Sequence, residues 1–465
     1  MLFLNSQFDS RIPIPMKLNR VLRPALVATV LTCAHAQTLL PLNNKALRPS
    51  NGFHIRSFTG SFGYGSIDMP TTGVAVPGQA MLRSDVAAWA STDLSFTHSS
   101  PRSHFGISYK PSYSGRFQLS GLQSFNQFVG LDYSRVVSPK ITLFASLTAD
   151  YSNLEQYLFQ TGPVTNFLND QRSPDDIASL VSSGMAGLGG PGPAVSAMLY
   201  GTRVLSLSGN VGASYRPNSR WQLSGIGTVA RTQARDVAQQ PGVAIVPRTS
   251  MEQASLTAVY SLTPRTQLSV DFRTSKVASP LAEYTTNSNS FNLTRRLSQK
   301  WFASVGAGAG SFRAPSQAIR LPEGSTFIGQ ASLGYRYRGY SFVGAYTRNS
   351  GDLYGLASAS TSSYSGSFAW RQRGLGWSVF AFGGRQQLSG GAFAGADGWQ
   401  ASAGVSKALG RQVAWGATYS YLANSFSPQV LQVRSVNAMR LSLTWVPFVR
   451  DAAPLLNDDM AGTGR

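Results

Sequence analysis

Polar and apolar residues alternate one by one near the end of the chain, in the stretch VNAMRLSLTWVPF. The apolar parity holds Met439, Leu441, Leu443 and Trp445. The polar parity holds Arg440, Ser442 and Thr444. Because successive side chains of a strand point to opposite faces, the stretch predicts a strand with one apolar and one polar face. We expect the apolar face to meet lipid and the polar face to line the interior of a barrel.

The same alternation recurs from about residue 52 to about residue 446. Clear examples are KITLFASLTADY, RVLSLSGNVGASYRP, DGWQASAGVSK and RQVAWGATYSY. Helical spacing explains none of these stretches as well as strand spacing does. Counting them predicts about 18 antiparallel strands, with 16 as the alternative, since a barrel with both ends on the same side needs an even number.

Short turns alternate with longer links along this region. The short turns are VVSPK, RPNSR, LTPRT, LSQK, YRGY, QRGLG and ALGRQ, with Pro, Asn and Gly in turn positions. The longer links are residues 152–202, 234–249, 276–286, 313–326, 350–360, 388–396 and 423–432. Short periplasmic turns and long extracellular loops are typical of outer-membrane barrels. The pattern therefore predicts an all-β fold, a single antiparallel transmembrane β-barrel.

The longest link, residues 152–202, contains the stretch SPDDIASLVSSG. Ser173 can cap a helix, Pro174 fits its first turn, and Asp175 and Asp176 complement its dipole. We expect a short helix here. The loop then either crosses the pore as a constriction or lid, or forms an extracellular flap.

Tyrosines and tryptophans stand near the short turns of several strands. The candidates for an aromatic girdle are Tyr215, Trp221, Trp301, Tyr337, Tyr340 and Trp445. Such amphipathic rings favour the boundary between lipid and water. The alternative is ordinary packing of aromatic residues at strand ends, but the repetition on many strands favours the girdle.

With this alternation, loop asymmetry and aromatic pattern, the chain resembles a Gram-negative, porin-like outer-membrane β-barrel over about residues 52–446. The resemblance implies a location in the outer membrane, with lipids, lipopolysaccharide and the barrel-assembly machinery as partners. One departure is the stretch VPFVRDAAPLLNDDMAGTGR after Trp445, because such barrels usually end on the aromatic residue of the last strand. We interpret residues 447–465 as a periplasmic tail.

The N-terminal region predicts an export signal. From Met16 onward, three basic residues precede a short apolar run and the small-residue triplet Ala34-His35-Ala36. This is the layout of a secretory signal, and the apolar run is too short to anchor the chain. We expect residues 1–36 to be removed, with translation starting at Met16 and cleavage between Ala36 and Gln37. Residues 37–51 would then form a periplasmic segment before the barrel.

Composition agrees with a membrane barrel. Apolar residues make up 42 % of the chain and charged residues only 13 %, against roughly 25 % charged in soluble domains. The formal net charge is +20, and removal of residues 1–36 leaves 36 basic and 19 acidic residues, or +17. In an exported protein this balance favours lipopolysaccharide, phosphate or acidic sugars over nucleic acid as partners.

Several arginines stand at positions that the alternation predicts to face the interior. The candidate pore-lining residues are Arg273, Arg296, Arg336, Arg338, Arg371 and Arg440. Rings of arginine or lysine set anion preference in pores, so these side chains would favour anionic solutes. The alternative is that they pair with inward carboxylates, or that they lie only at the rim.

Catalysis and metal binding find little support in the sequence. The only cysteine, Cys33, lies in the predicted signal, and the histidines beyond it are His54, His98 and His104. His98 and His104 straddle one turn and could approach each other, but two imidazoles do not complete a metal site. We therefore expect no enzyme activity, no metal and no cofactor.

Three functions remain open at this point. The first is a channel for passive passage of small, preferably anionic solutes or sugars. The second is a conduit or accessory for polysaccharide export, and the third is a closed barrel that acts as a surface anchor or adhesin. The oligomeric state cannot be read from the pattern.

Overall fold

The computed structural model describes the barrel wall and its short turns. The described residues are 51–70, 80–118, 123–153, 203–236, 248–279, 282–317, 324–337, 339–350, 360–372, 376–389, 397–410, 412–424 and 435–447. Among them, no helix is long and apolar enough to cross a membrane. The predicted signal and its cleavage site, the helix in residues 152–202 and the tail after residue 447 lie outside these ranges.

Eighteen strands make up the wall. They are β1 (Gly52–Pro70), β2 (Ala80–Ser99), β3 (Ser103–Arg116), β4 (Ser124–Ser138), β5 (Ile141–Asn153), β6 (Arg203–Tyr215), β7 (Trp221–Asp236), β8 (Thr249–Thr263), β9 (Thr266–Ala278), β10 (Ala282–Arg296), β11 (Trp301–Gln317), β12 (Gly324–Tyr337), β13 (Tyr340–Ser350), β14 (Ser360–Arg371), β15 (Trp377–Ser389), β16 (Asp397–Ala408), β17 (Val413–Asn424) and β18 (Ser435–Trp445). The predicted count of 18 is confirmed, and the alternative of 16 is wrong.

The sheet is antiparallel throughout and closes on itself. Each strand pairs with its neighbour in the sequence, and β1 also pairs with β18, with Phe58 opposite Trp445. Thr59 and Thr444 share a hydrogen bond of 2.9 Å on the inner side of this seam. Closure leaves no strand edge with unpaired backbone groups, which is the condition for a sheet to stand in lipid.

All eight turns at one end of the barrel are short. The turn between β12 and β13 requires a glycine, since Gly339 has a φ of 92° and a Cβ there would collide with the backbone oxygen of Arg371. We call this end the short-turn end and the opposite one the long-loop end. Two predicted long links, residues 276–286 and 313–326, are wrong in their bounds. Strand β9 runs to Ala278 and β10 begins at Ala282, while β11 runs to Gln317 and β12 begins at Gly324. Hydrogen-bonded ladders extended these strands past the point where their apolar alternation fades.

The in-and-out assignment of the strands follows the sequence pattern. On β18 the exposed side chains are Met439, Leu441, Leu443 and Trp445, with between 44 % and 55 % of their surface accessible. Thr444 on the same strand is 2 % exposed and faces inward. Strands β5, β6, β16 and β17 repeat the arrangement, with leucine, valine and aromatic residues outside. The outer wall is therefore apolar over the middle of the strands.

Candidate functional site: the inner wall of the barrel

A hydrogen-bonded polar lining covers the inner wall from β5 to β12. On its first part, Asn210 donates to Ser146 at 3.1 Å, and Thr228 donates to Asn210 at 2.7 Å. Thr148 and Ser208 share a further hydrogen bond of 2.6 Å. These side chains are half-buried, so they fix one another across strands while still facing the interior.

The second part of the polar lining centres on Asp271. Its carboxylate accepts hydrogen bonds from Thr257 at 2.6 Å, from Asn292 at 2.6 Å and from Ser269 at 3.4 Å. Gln330 donates in turn to Asn292 at 2.6 Å. The network spans five strands, and each of its carboxylate and amide groups has a partner, as buried polar groups require.

A packed lining covers the inner wall of β14 to β18. Most of its inward side chains are buried rather than half-buried. Its apolar members are Ala369, Phe380, Phe382, Leu388, Ala414, Leu422, Val436 and Ala438, all less than 9 % exposed. Phe380 lies over Gly404, its partner on β16, and a Cβ at Gly404 would stand 2.8 Å from Cζ of the ring. Glycine therefore leaves the room that the ring occupies, an arrangement known from sheets in which an aromatic side chain covers a neighbouring glycine.

The predicted arginines lie in three different places. Arg273 lies within β9 on the polar lining and is exposed. Arg296, Arg336 and Arg371 lie at the short-turn end and are also exposed, and Arg296 donates to the backbone oxygen of Ser298 at 3.3 Å. Arg338 falls outside the described residues. The structure therefore does not bring the set together as one patch.

Arg440 differs from the other predicted arginines because its side chain is held by the wall. Its Nε donates to Oγ of Ser61 at 2.7 Å, and its guanidinium lies 5.2 Å from the centre of the Trp89 ring. The residue is 9 % exposed. Stacking on an aromatic face stabilises a cation. Arg440 thus belongs to the packed lining near the β1–β18 seam.

Two further inward carboxylates, on β2 and β5, also have partners. Lys110 forms an ion pair of 3.3 Å with Asp93, and Ser152 donates to Asp150 at 3.1 Å. By contrast, Arg273 has no hydrogen bond or ion pair to another residue in the described part of the chain. Within that part, its positive charge faces the interior without a compensating contact.

Sequence reasoning missed a Ser99–His104–Asp132 row at the short-turn end. Oγ of Ser99 lies 2.8 Å from Nδ1 of His104, and Nε2 of His104 lies 3.2 Å from Asp132. His98 stands on the opposite face of β2, so the predicted approach of the two histidines is wrong. The His104 and Asp132 side chains are 39 % and 57 % exposed, so water competes for each bond of the row. Nucleophilic catalysis needs these groups in a drier site with donors for an oxyanion.

Metal-ligand clusters do not occur in the part of the chain that the structure describes. No group of three or more His, Cys, Asp or Glu side chains there could hold a metal ion.

Aromatic residues ring the outer wall at the short-turn end. Five of the six predicted girdle residues, Tyr215, Trp221, Trp301, Tyr340 and Trp445, are exposed there, and Tyr337 is half-buried beneath Lys300. Cross-strand contacts add Phe58, Tyr260, Tyr335, Trp370, Trp377 and Trp415 to the ring. The missed residues pair with predicted ones across adjacent strands or with each other, so the strand register was the signal that could have found them. Aromatic rings at one level on many strands are what a lipid–water boundary selects.

Comparison with known proteins finds similar solved structures but no match by sequence. No protein-family model and no curated protein matches it. Among solved structures it is similar to a BenF-like porin from Pseudomonas fluorescens Pf-5, with a TM-score of 0.44, 12% identity, and 85% of this chain and 98% of that chain covered. Pseudomonas aeruginosa OpdO has a TM-score of 0.45 and 11% identity, with 85% of this chain and 98% of that chain covered. Pseudomonas aeruginosa OccK2 (OpdF) in complex with glucuronate has a TM-score of 0.44 and 11% identity, with 86% of this chain and 100% of that chain covered.

At these TM-scores and identities the likeness decides nothing about this chain, so the nature of the wall has to come from the chain itself. A soluble barrel would turn its apolar face inward, whereas here leucine, valine and aromatic side chains cover the outside of a closed sheet. Such a surface is stable only in lipid. The chain is therefore a transmembrane β-barrel of the outer-membrane type.

Proposed function

We propose that the chain is an outer-membrane channel for the passive passage of small, preferably anionic solutes, including sugars or organic acids. The observation that carries the proposal is the polar lining on β5 to β12, where half-buried hydroxyl and amide groups face the interior of an 18-stranded barrel. Barrels of about 16–18 strands leave an aqueous passage when their lumen is not filled. A polar wall of this kind can exchange hydrogen bonds with the hydroxyl groups of a passing solute.

A preference for anions is supported by the balance of contacts along the interior. The carboxylates of Asp93, Asp150 and Asp271 are engaged by neighbouring side chains, whereas Arg273 faces the interior without such a partner among the described residues. Arg336 and Arg371 add positive charge at the short-turn end. Charges within a Debye length of about 8 Å bias the passage of ions without binding them tightly.

The partners follow from the outer wall. Its apolar middle and its aromatic ring suit outer-membrane lipids, and we infer that lipopolysaccharide meets the long-loop end. Insertion would use the barrel-assembly machinery, which would have to recognise β18 despite the residues that follow Trp445.

The test is conductance of the refolded barrel in a planar lipid bilayer, with the reversal potential measured in a salt gradient. The wild type should conduct and should favour anions. Replacing Arg273, Arg336 and Arg371 together with glutamine should shift the reversal potential toward cation selectivity. Arg231→Gln serves as the matched control, since Arg231 lies on the outer wall and should leave the reversal potential unchanged.

Two outcomes would overturn the proposal. A folded barrel without conductance would favour the closed anchor or adhesin. Conductance with equal reversal potentials in the wild type and the triple variant would remove the anion preference.

A further inference from the structure

A row of mostly small residues crosses the outer wall from β6 to β12. Its members are direct cross-strand partners: Val211, Gly227, Ala254, Thr274, Asn287, Ser311 and Ser325. Larger exposed side chains flank the row, with Leu256, Phe272 and Phe327 along its lower side. Two adjoining hollows of ≈ 570 Å³ and ≈ 650 Å³ follow the row and share Ala254 and Thr274. We call this feature the diagonal groove.

The diagonal groove climbs through the depth of the wall. At its lower end, Gly227 follows Trp221 of the aromatic ring by six positions. At its upper end, Ser311 follows Trp301 by ten positions, and Ser325 precedes Tyr335 by ten. With about 3.3 Å per residue and a strand tilt near 40°, the groove rises from roughly 15 Å to roughly 25 Å above the ring. It thus runs from the middle of the bilayer to the boundary at the long-loop end.

The chemistry of the groove changes along this climb. Gly227, Ala254 and the neighbouring Val229 line the lower end, where the wall meets hydrocarbon, and the charged Glu252 and Lys276 line its upper side. Asn287 and Asn289 are exposed at the upper end, beside Thr274, Ser311 and Ser325 of the row. An outward amide at this depth has no place in pure hydrocarbon, because an unpaired polar group there costs several kcal/mol.

A positive charge stands just above the polar end. Arg313 lies on β11 two positions after Ser311 and is exposed on the same outer face. Lys276, in the row above the groove, forms an ion pair of 2.6 Å with Glu283, whereas Arg313 has no such pair within the described part of the chain. Arg313 therefore offers its guanidinium to a ligand at the membrane boundary.

We propose that the diagonal groove binds one lipid A moiety of lipopolysaccharide. One acyl chain lies along Gly227, Ala254 and Thr274, and the phosphorylated sugar headgroup contacts Asn287, Asn289 and Arg313. The amides bond to hydroxyl and amide groups of the headgroup, and the guanidinium pairs with a phosphate, its preferred anion. The inference rests on the proposed outer-membrane location, which puts the long-loop end in the outer leaflet.

The form of the groove favours a lipid over a second copy of the chain. A helix or barrel wall packs broad surfaces together, whereas the small residues here form a narrow channel between larger neighbours. Its polarity rises in the same direction as that of an outer-leaflet lipid, from chain to headgroup. A phosphate with a sugar matches one arginine beside two amides better than a zwitterionic headgroup does.

The experiment measures lipid retained by the barrel. The protein is refolded in phosphatidylcholine vesicles that contain lipid A, extracted in mild detergent and examined by native mass spectrometry. The wild type should carry one lipid A in preference to phosphatidylcholine. Ala254→Trp fills the groove and should lower retention about tenfold, and Arg313→Gln should lower it severalfold by removing the phosphate contact.

Ala401→Trp is the matched control, because Ala401 is an exposed alanine on the outer wall of β16, away from the groove. It should retain lipid A like the wild type. Equal retention by the Ala254→Trp and Ala401→Trp variants, or retention of phosphatidylcholine in place of lipid A, would overturn the inference. Should Ala254→Trp fail to fold, unchanged retention by Arg313→Gln would overturn it as well. Conductance is measured on the same preparations, so a barrel that binds lipid A without conducting would reject the channel and not the groove.

Discussion

The two linings of the inner wall follow the same alternation of inward and outward residues and yet differ in structure. The polar lining on β5 to β12 is largely half-buried and linked by side-chain hydrogen bonds, with the half-buried Asp271 and the buried Asn292 at its centre. The packed lining on β14 to β18 is buried, with Phe380 fully covered. Alternation tells which side chains point inward, but it does not tell whether they meet water or one another. We infer that solutes pass along the polar lining, while the packed lining stiffens the wall.

The largest expected effect comes from the packed lining. Phe380→Ala should destabilise the barrel by about 3–5 kcal/mol, because it removes a fully buried ring and leaves a cavity over Gly404. Unfolding in guanidinium from lipid vesicles measures the loss. Phe368→Ala on the lipid-facing side of β14 is the control and should cost less, since lipid chains can fill the space. Equal losses would mean that the two linings do not differ in packing.

A smaller loss is expected from the polar lining. Asn292→Leu should cost about 1–3 kcal/mol, because Asp271 loses a donor and Gln330 loses its acceptor. The same unfolding experiment applies. Asn289→Leu, three residues earlier on the outer face of β10, is the matched control and should not destabilise. A neutral Asn292→Leu variant would show that water already satisfies these groups and that the network is not structural.

The smallest effect on stability is expected from replacing Arg440, which is compared with Arg273. Arg440→Met should change stability by less than about 1 kcal/mol, because its desolvated charge is replaced by an apolar side chain of similar length against Trp89. It should also leave the reversal potential unchanged, whereas Arg273→Gln alone should shift it toward cations. Bilayer recordings of the two single variants decide this. A larger shift from Arg440→Met would place the solute path along the packed lining instead.

Much of the fold could be predicted from the sequence because it depends on local periodicity. The parity of Leu443 and Ser442 and the short turns depend on neighbouring residues only, and so does the count of strands. The length of β9 could not be predicted, because Lys276 continues its strand through pairing rather than through alternation. Local pattern thus gave the wall and its orientation.

The contacts inside the wall could not be predicted, since they join residues far apart in sequence. Arg440 and Ser61 are separated by 379 positions and meet only because β18 pairs with β1 in one register. Parity placed Arg440 on the inner face, but the stacking on Trp89 depends on a third strand. The Ser99–His104–Asp132 row arises in the same way, across two strand pairings.

The most direct test of the difference between the linings uses single cysteines. The only natural cysteine is Cys33, so Ser146→Cys and Ser402→Cys can be made in a Cys33→Ser background and refolded into vesicles. Ser146 is half-buried on the polar lining, and Ser402 is 6 % exposed on the packed lining. A charged, water-soluble thiol reagent should label Ser146→Cys rapidly and leave Ser402→Cys largely unlabelled until the barrel is unfolded. Equal labelling of the two folded variants would contradict the division of the inner wall into a solute path and a packed support.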